Sequence, residues 1–137
     1  MNFQSLPTKS WAVFIITAPD LNPEEITSKI RITPDYFQAP SLTESGENIP
    51  GIWQMNSTIA EDLELEEQIW DILKKIAPVR KEVKEAIEKL SAYIYCSVEF
   101  SDDDKGGFKF SPRLLNLLAN LGVPIQVHPY KNHRSVI

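Results

Sequence analysis

Cys96 is the chain's one cysteine, and a thiol acts as a nucleophile only beside a base that takes its proton. His128 and His133 are the two histidines able to serve as that base, provided folding brings one of them close. Position argues the other way, because Cys96 keeps step with Ile94 and Val98 in YIYCSVEF, where a buried thiol is a small hydrophobe. The same two histidines, with no third ligand near them in sequence, make a weak zinc pattern. Asp102, Asp103 and Asp104 open like a calcium loop but lack its alternating ligands and its distant glutamate, so they read as a solvated turn. Glu61, Asp62, Glu64, Glu66 and Glu67 precede and open a helix, where negative charge meets the positive end of the helix dipole. Capping accounts for them without acid–base chemistry.

Lys109, Ser111 and Arg113 surround the start of a further helix, next to Gly106 and Gly107. Free amides and the dipole at such an end attract anions, so phosphate, sulfate or a carboxylate is the ligand class expected there. Arg113 would supply a forked contact and Lys109 a point charge. The competing reading is that Ser111 caps its own helix and the basic side chains are solvated. Trp53, Tyr93 and Tyr95 are candidates for a ligand pocket or a partner surface, against packing inside the core. No phosphate-binding glycine loop, nucleophile elbow, HExxH or CxxC occurs. No metal or cofactor is therefore expected, and a binding role is favoured over an enzyme.

Positioning these residues falls first to residues 63–90, LELEEQIWDILKKIAPVRKEVKEAIEKL. Leu65, Ile69, Ile72, Ile76, Val79, Val83, Ala86 and Leu90 recur at helical spacing, and Leu73 and Ile87 widen the stripe. Pro78 lacks the amide for its helical bond and disfavours helix at Ala77, which predicts helices over 65–76 and 79–90, kinked or separated there. Residues 11–18, WAVFIITA, read as a central strand. Asn22, Pro23 and Glu25 signal the start of a short helix with Ile26 and Ile30 inward. Residues 31–37 allow a short edge strand at most, because Pro34 cannot donate to a ladder. Residues 38–51 read as a surface loop, and 51–57 as a strand with one buried face. Residues 93–100 form the clearest strand. A turn at 102–107 returns through 108–110 as a hairpin arm, Ser111 and Pro112 open a helix closed by Gly122, and 125–130 is the last strand. Leu114, Leu115, Leu117, Leu118 and Leu121 are assigned to the inner face of that helix. The fold expected is α+β, a ferredoxin-like two-layer sandwich: a mostly antiparallel sheet with helices on one face and an added C-terminal hairpin–helix–strand unit.

At 137 residues, 42% hydrophobic and 24% charged, the chain suits one domain spanning 1–137. No apolar run approaches the ~20 residues of a membrane helix, and the first residues lack a secretion pattern. A lone cysteine fits a reducing, cytoplasmic setting. The net charge of -5 argues against nucleic acid as a partner. All 19 acidic residues lie at or before Asp104, while Lys105, Lys109, Arg113, Lys131 and Arg134 follow it, so a basic segment ends an acidic body.

Several stretches are shared with a known family. They are Glu24, Glu25, Ile26, Thr27, Ile30 and Pro34; then Gly51 and Trp53; then Ile69, Leu73, Ile76 and Pro78. GF.FS..LL..LA.LG follows (Gly107, Phe108, Phe110, Ser111, Leu114, Leu115, Leu118, Ala119, Leu121, Gly122), and the terminal strand ends at Tyr130. The chain so resembles the bacterial family catalogued as domain of unknown function 4279 over nearly its whole length. Members often end on an acidic strand before the tyrosine, where this chain has His128 and Pro129. The resemblance implies the fold and carries no established activity. The expectation is a non-enzymatic binding or interaction protein, of immunity type or regulatory, with a protein partner or a second copy of itself. The alternative is a domain that binds a small anion or metabolite, or an enzyme whose site follows no motif.

Overall fold

The computed structural model describes residues 9–99 and 107–129. Strand β1 (Lys9–Ala18) runs through the middle of a five-stranded sheet ordered β2-β5-β1-β6-β7, made with β2 (Tyr36–Gln38), β5 (Gly51–Asn56), β6 (Ser91–Glu99) and β7 (Ile125–Pro129). Its β-branched and aromatic residues suit a strand paired on both edges, and β5 and β6 flank it antiparallel. β2 pairs antiparallel with β5 at one edge, and β7 runs parallel to β6 at the other. Two β-α-β units result, each split by a strand of the other. One is β1, α1 (Pro23–Ile30) and β2 with β5 between the strands; the second runs from β5 to β6 with β1 between them.

Local signals set the helix ends. The Asn22 side chain accepts from the Glu24 amide at 3.0 Å, and Arg31 closes α1 in the left-handed region at φ 61°. Helix α2 (Leu65–Ile76) passes through a 3-10 turn, Ala77–Val79, into α3 (Arg80–Ala86). Pro78 stands in the first positions of the 3-10 turn, where no amide is required of it, and Val79, at φ -120° and ψ 26°, leaves helical geometry where α2 gives way to α3. α3 stops at Ala86, short of the residue 90 expected, because tight turns at Ile87 and Leu90 lead the chain into β6 two residues earlier than its sequence pattern suggested. Ser111 caps α4 (Pro112–Leu121), accepting from the Leu114 amide at 3.2 Å, and Gly122 ends it at φ 76°.

All four helices pack on one face of the sheet. Phe14, Trp53, Met55 and Cys96 from that face share one core with Ile30, Ile72, Val83 and Leu118 from the helices. Leu115, expected to point inward, is exposed, since the buried stripe of α4 is Leu114, Leu118 and Leu121. Residues 38–51 hold more order than a plain loop: β3 (Ser41–Leu42) and β4 (Asn48–Ile49) pair as a small hairpin. The Thr43 hydroxyl accepts from the Glu47 amide at 2.9 Å to hold its turn. Residues 108–110 carry no strand, because β1 and β7 already occupy both edges of β6. The expected hairpin is thus replaced by a parallel β6-α4-β7 crossover. Its turn at 102–106, together with Phe100, Tyr130, Lys131, His133 and Arg134, lies outside the described residues. Among the described residues, no helix is long and apolar enough to cross a membrane.

Candidate functional site

The start of α4 already holds an anion, and it comes from the chain itself. Glu66, in the first turn of α2, accepts from the Ser111 amide at 2.6 Å and from the Ser111 hydroxyl at 2.7 Å. Its carboxylate also accepts from Trp70 Nε1 at 3.0 Å. Burial pushes the Glu66 carboxyl up, but the hydrogen bonds from Ser111 and Trp70 outweigh it and hold the group below its ordinary value near 4.5. The Arg113 guanidinium lies over the Trp70 ring, 5.1 Å from its centroid, while Lys109 is an exposed side chain. Of the groups that the sequence offered to an external anion, Ser111 thus fastens α4 to α2. Sequence reasoning gave Glu66 only a dipole role; an Oε atom that reaches a hydroxyl 45 residues away leaves no local signal.

Replacing Glu66 by Gln is expected to cost about 1 kcal/mol at neutral pH, less than the about 1.5–3 kcal/mol of a buried hydrogen bond to a charge because the group is partly exposed. A depressed folded value means the carboxylate stabilises the fold above about pH 4.5, and this contribution is lost as pH falls through the folded value. Denaturation midpoints of wild type and Glu66→Gln should therefore differ at pH 7 and converge on acidification below 4.5. A constant gap would show that the charge is not what matters.

The opposite face of the sheet carries no helix among the described residues, and the strand register aligns its side chains in rows. Tyr36, Gln54, Ile15 and Tyr93 form one row across β2, β5, β1 and β6. Asn56, Val13, Tyr95 and Gln126 form the next, and Trp11, Ser97 and His128 the third. Val13 and Ile15 are buried under taller neighbours. Tyr93 and Tyr95 are half-buried, Tyr36 and His128 are exposed, and the His128 ring stacks on Tyr95 at 4.6 Å between centroids. Burial, then the neighbouring Tyr95, raises the Tyr93 hydroxyl above its ordinary value, so it stays a neutral donor and acceptor. Trp11 Nε1 donates to Glu61 at 2.7 Å along the margin. Gln54 Oε1 and Ser97 Oγ are buried here with no hydrogen-bond partner among the described residues, which in a native fold calls for a reason.

The structure thus brings Tyr93 and Tyr95 together on one surface and separates them from Trp53. Trp53 is fully buried on the helix side, a core residue and not a surface one. Lys109, Ser111 and Arg113 lie on the helical layer, apart from the tyrosines. Cys96 is buried beneath the helices, and burial pushes its thiol up to about 12, so it carries no thiolate at neutral pH. His128 lies on the other face from it and cannot act as its base. Among the described residues, no three His, Cys, Asp or Glu side chains gather to hold a metal.

A family model described as Domain of unknown function (DUF4279) matches residues 7–132. Comparison with curated proteins and with solved structures gave no match.

Proposed function

Because the chain belongs to the DUF4279 family, whose description names no activity, we propose from geometry that it is a non-enzymatic interaction protein docking a protein partner on the helix-free sheet face. The observation that carries this reading is the aromatic surface of Tyr36, Tyr93, Tyr95 and His128 standing over buried Val13 and Ile15. Tyrosines with a buried apolar base and a polar tip are the residues from which interface anchors are built. The Gln54 and Ser97 oxygens, which have no hydrogen-bond partner among the described residues, would gain hydrogen bonds from a partner that penetrates between those rings. An immunity-type or regulatory role, in which an acidic body masks a basic partner in a bacterial cytoplasm, is the specific form proposed, supported by the net charge of -5 and the single buried cysteine. A ferredoxin-like frame is part of the same reading, supported by the two interleaved β-α-β units.

Immobilised protein exposed to native cell extract should capture a basic protein, with capture weakened at least about tenfold by Tyr95→Ala, as expected for a centrally placed aromatic anchor. Equal capture by wild type and by a Tyr93→Ala and Tyr95→Ala double variant that still folds would remove the sheet face from the function. Turnover of a metabolite with no captured protein would end the non-enzymatic reading altogether.

A further inference from the structure

A groove of about 790 Å³ runs between α2 and α4 on the helical layer, on the far side of the molecule from the proposed docking face. Trp70 and Leu73 of α2 and Leu117 of α4 supply its apolar lining. Lys74, Arg80 and Arg113 stand along it, and Asn116 and Asn120 add two amide side chains. Among the described residues no carboxylate lines it, although acidic residues outnumber basic ones 19 to 14 in the chain. Three cations gathered with no carboxylate beside them among the described lining residues create, on an acidic protein, a local field of the opposite sign to the body. Glu66, at the α2–α4 junction, is engaged by Ser111 and Trp70. That same contact holds the Trp70 ring, and Arg113 lies over it with its guanidinium 5.1 Å from the centroid, so the cation is placed before any ligand arrives.

We infer that this groove is a binding site for a small organic anion, a carboxylate, sulfonate or phosphate ester carried on a flat apolar body. The volume falls in the range of about 300–1,000 Å³ that holds a single small molecule, and an apolar lining with a few convergent polar groups is the usual make-up of such sites. The apolar body lies on Leu117 beside Trp70, above the buried Leu73, and the anionic group meets Arg113, Arg80 and Lys74, with Arg113 able to grip two oxygens at once. A nucleic-acid backbone is excluded as the occupant because three cations neutralise too few phosphates to hold one. The site is independent of the proposed docking face, so either can fail alone.

The test uses 8-anilinonaphthalene-1-sulfonate as the anionic probe and N-phenyl-1-naphthylamine, the same body without the sulfonate, as its neutral counterpart. Titration of the full chain with the sulfonate should shift the side-chain amide signals of Asn116 and Asn120 and quench Trp70. A Lys74→Gln, Arg80→Gln and Arg113→Gln variant, checked for an unchanged thermal transition, should bind it at least about tenfold more weakly. The neutral amine should bind the wild type no better than it binds this variant. The inference is overturned if the sulfonate leaves Asn116 and Asn120 unmoved, if its affinity survives the triple variant, or if the neutral amine binds as tightly as the sulfonate. Inorganic phosphate binding as tightly as the sulfonate would overturn it too, since the apolar lining would then contribute nothing. Reading the amide shifts separately keeps the outcome decisive should the triple variant lose stability.

Discussion

Trp53→Ala should destabilise the protein by about 3–5 kcal/mol, the range for removing a large buried aromatic. Trp53 has no exposed surface, meets Phe14 edge-on at 6.4 Å between centroids, and donates its Nε1 hydrogen to Thr27 Oγ1 at 3.0 Å. The Thr27 hydroxyl in turn donates to the Pro23 carbonyl at 3.2 Å, so one side chain ties β5 to the first turns of α1. Truncation leaves a cavity between sheet and helix and strips Thr27 of its donor. For a domain of this size the loss corresponds to about 10–20 °C in the midpoint of thermal unfolding. Trp53→Phe keeps a ring and removes the N–H, and should cost about 1–2 kcal/mol, the sum of a lost hydrogen bond and a partial void. Unfolding followed by circular dichroism leaves the readout independent of the tryptophan removed. A loss below about 1 kcal/mol for the alanine variant would place Trp53 back on a surface.

Gly51→Ala is expected to cost about 3 kcal/mol, for a reason unrelated to backbone conformation. A β-carbon at Gly51 would lie 2.1 Å from the Leu21 carbonyl oxygen and 3.0 Å from its carbon. Both are backbone atoms of the turn between β1 and α1, which therefore must move away from the head of β5. Gly51 is also paired with Ala18, and its carbonyl accepts from the Thr17 hydroxyl at 2.7 Å, so β5 cannot yield without loosening the centre of the sheet. Overpacking ordinarily costs about 1–3 kcal/mol, and rigid neighbours put this case at the upper end. Gly46 provides the contrast: it lies at φ 87° with nothing within 4 Å of an added β-carbon. Gly46→Ala should cost only the about 1–2 kcal/mol of a left-handed residue, with no change in packing. Equal losses in the two variants on chemical denaturation would show that the close approach at Leu21 is absent.

Much of the frame was legible because it depends on short-range geometry. Ile69, Ile72 and Ile76 are spaced for one helix face, and they are buried. Asn22 and Ser111 are acceptors placed just ahead of a proline that suits a first helical turn, and both cap. Cys96 keeps the phase of Ile94 and Val98, and all three face the helices. Tyr93 and Tyr95 lie on the face opposite Cys96, as the two-residue period of a strand requires. What covers each face, and what stands beside it, was not written in that period.

The sequence by itself thus determined where α1, α2 and α4 begin and which residues of α2 and β6 face the core. Tertiary structure alone decided that β7 lies beside β6 in place of a returning hairpin arm, that Glu66 accepts from Ser111, and that Arg113 lines a groove with Trp70. The division has one physical origin. Periodicity and capping are set by neighbours within a turn or a strand pair, whereas edge pairing and a carboxylate's choice of donor are settled by competition among groups far apart in the chain. A strand edge accepts any extended segment that reaches it, and only closure of the whole core determines which one arrives.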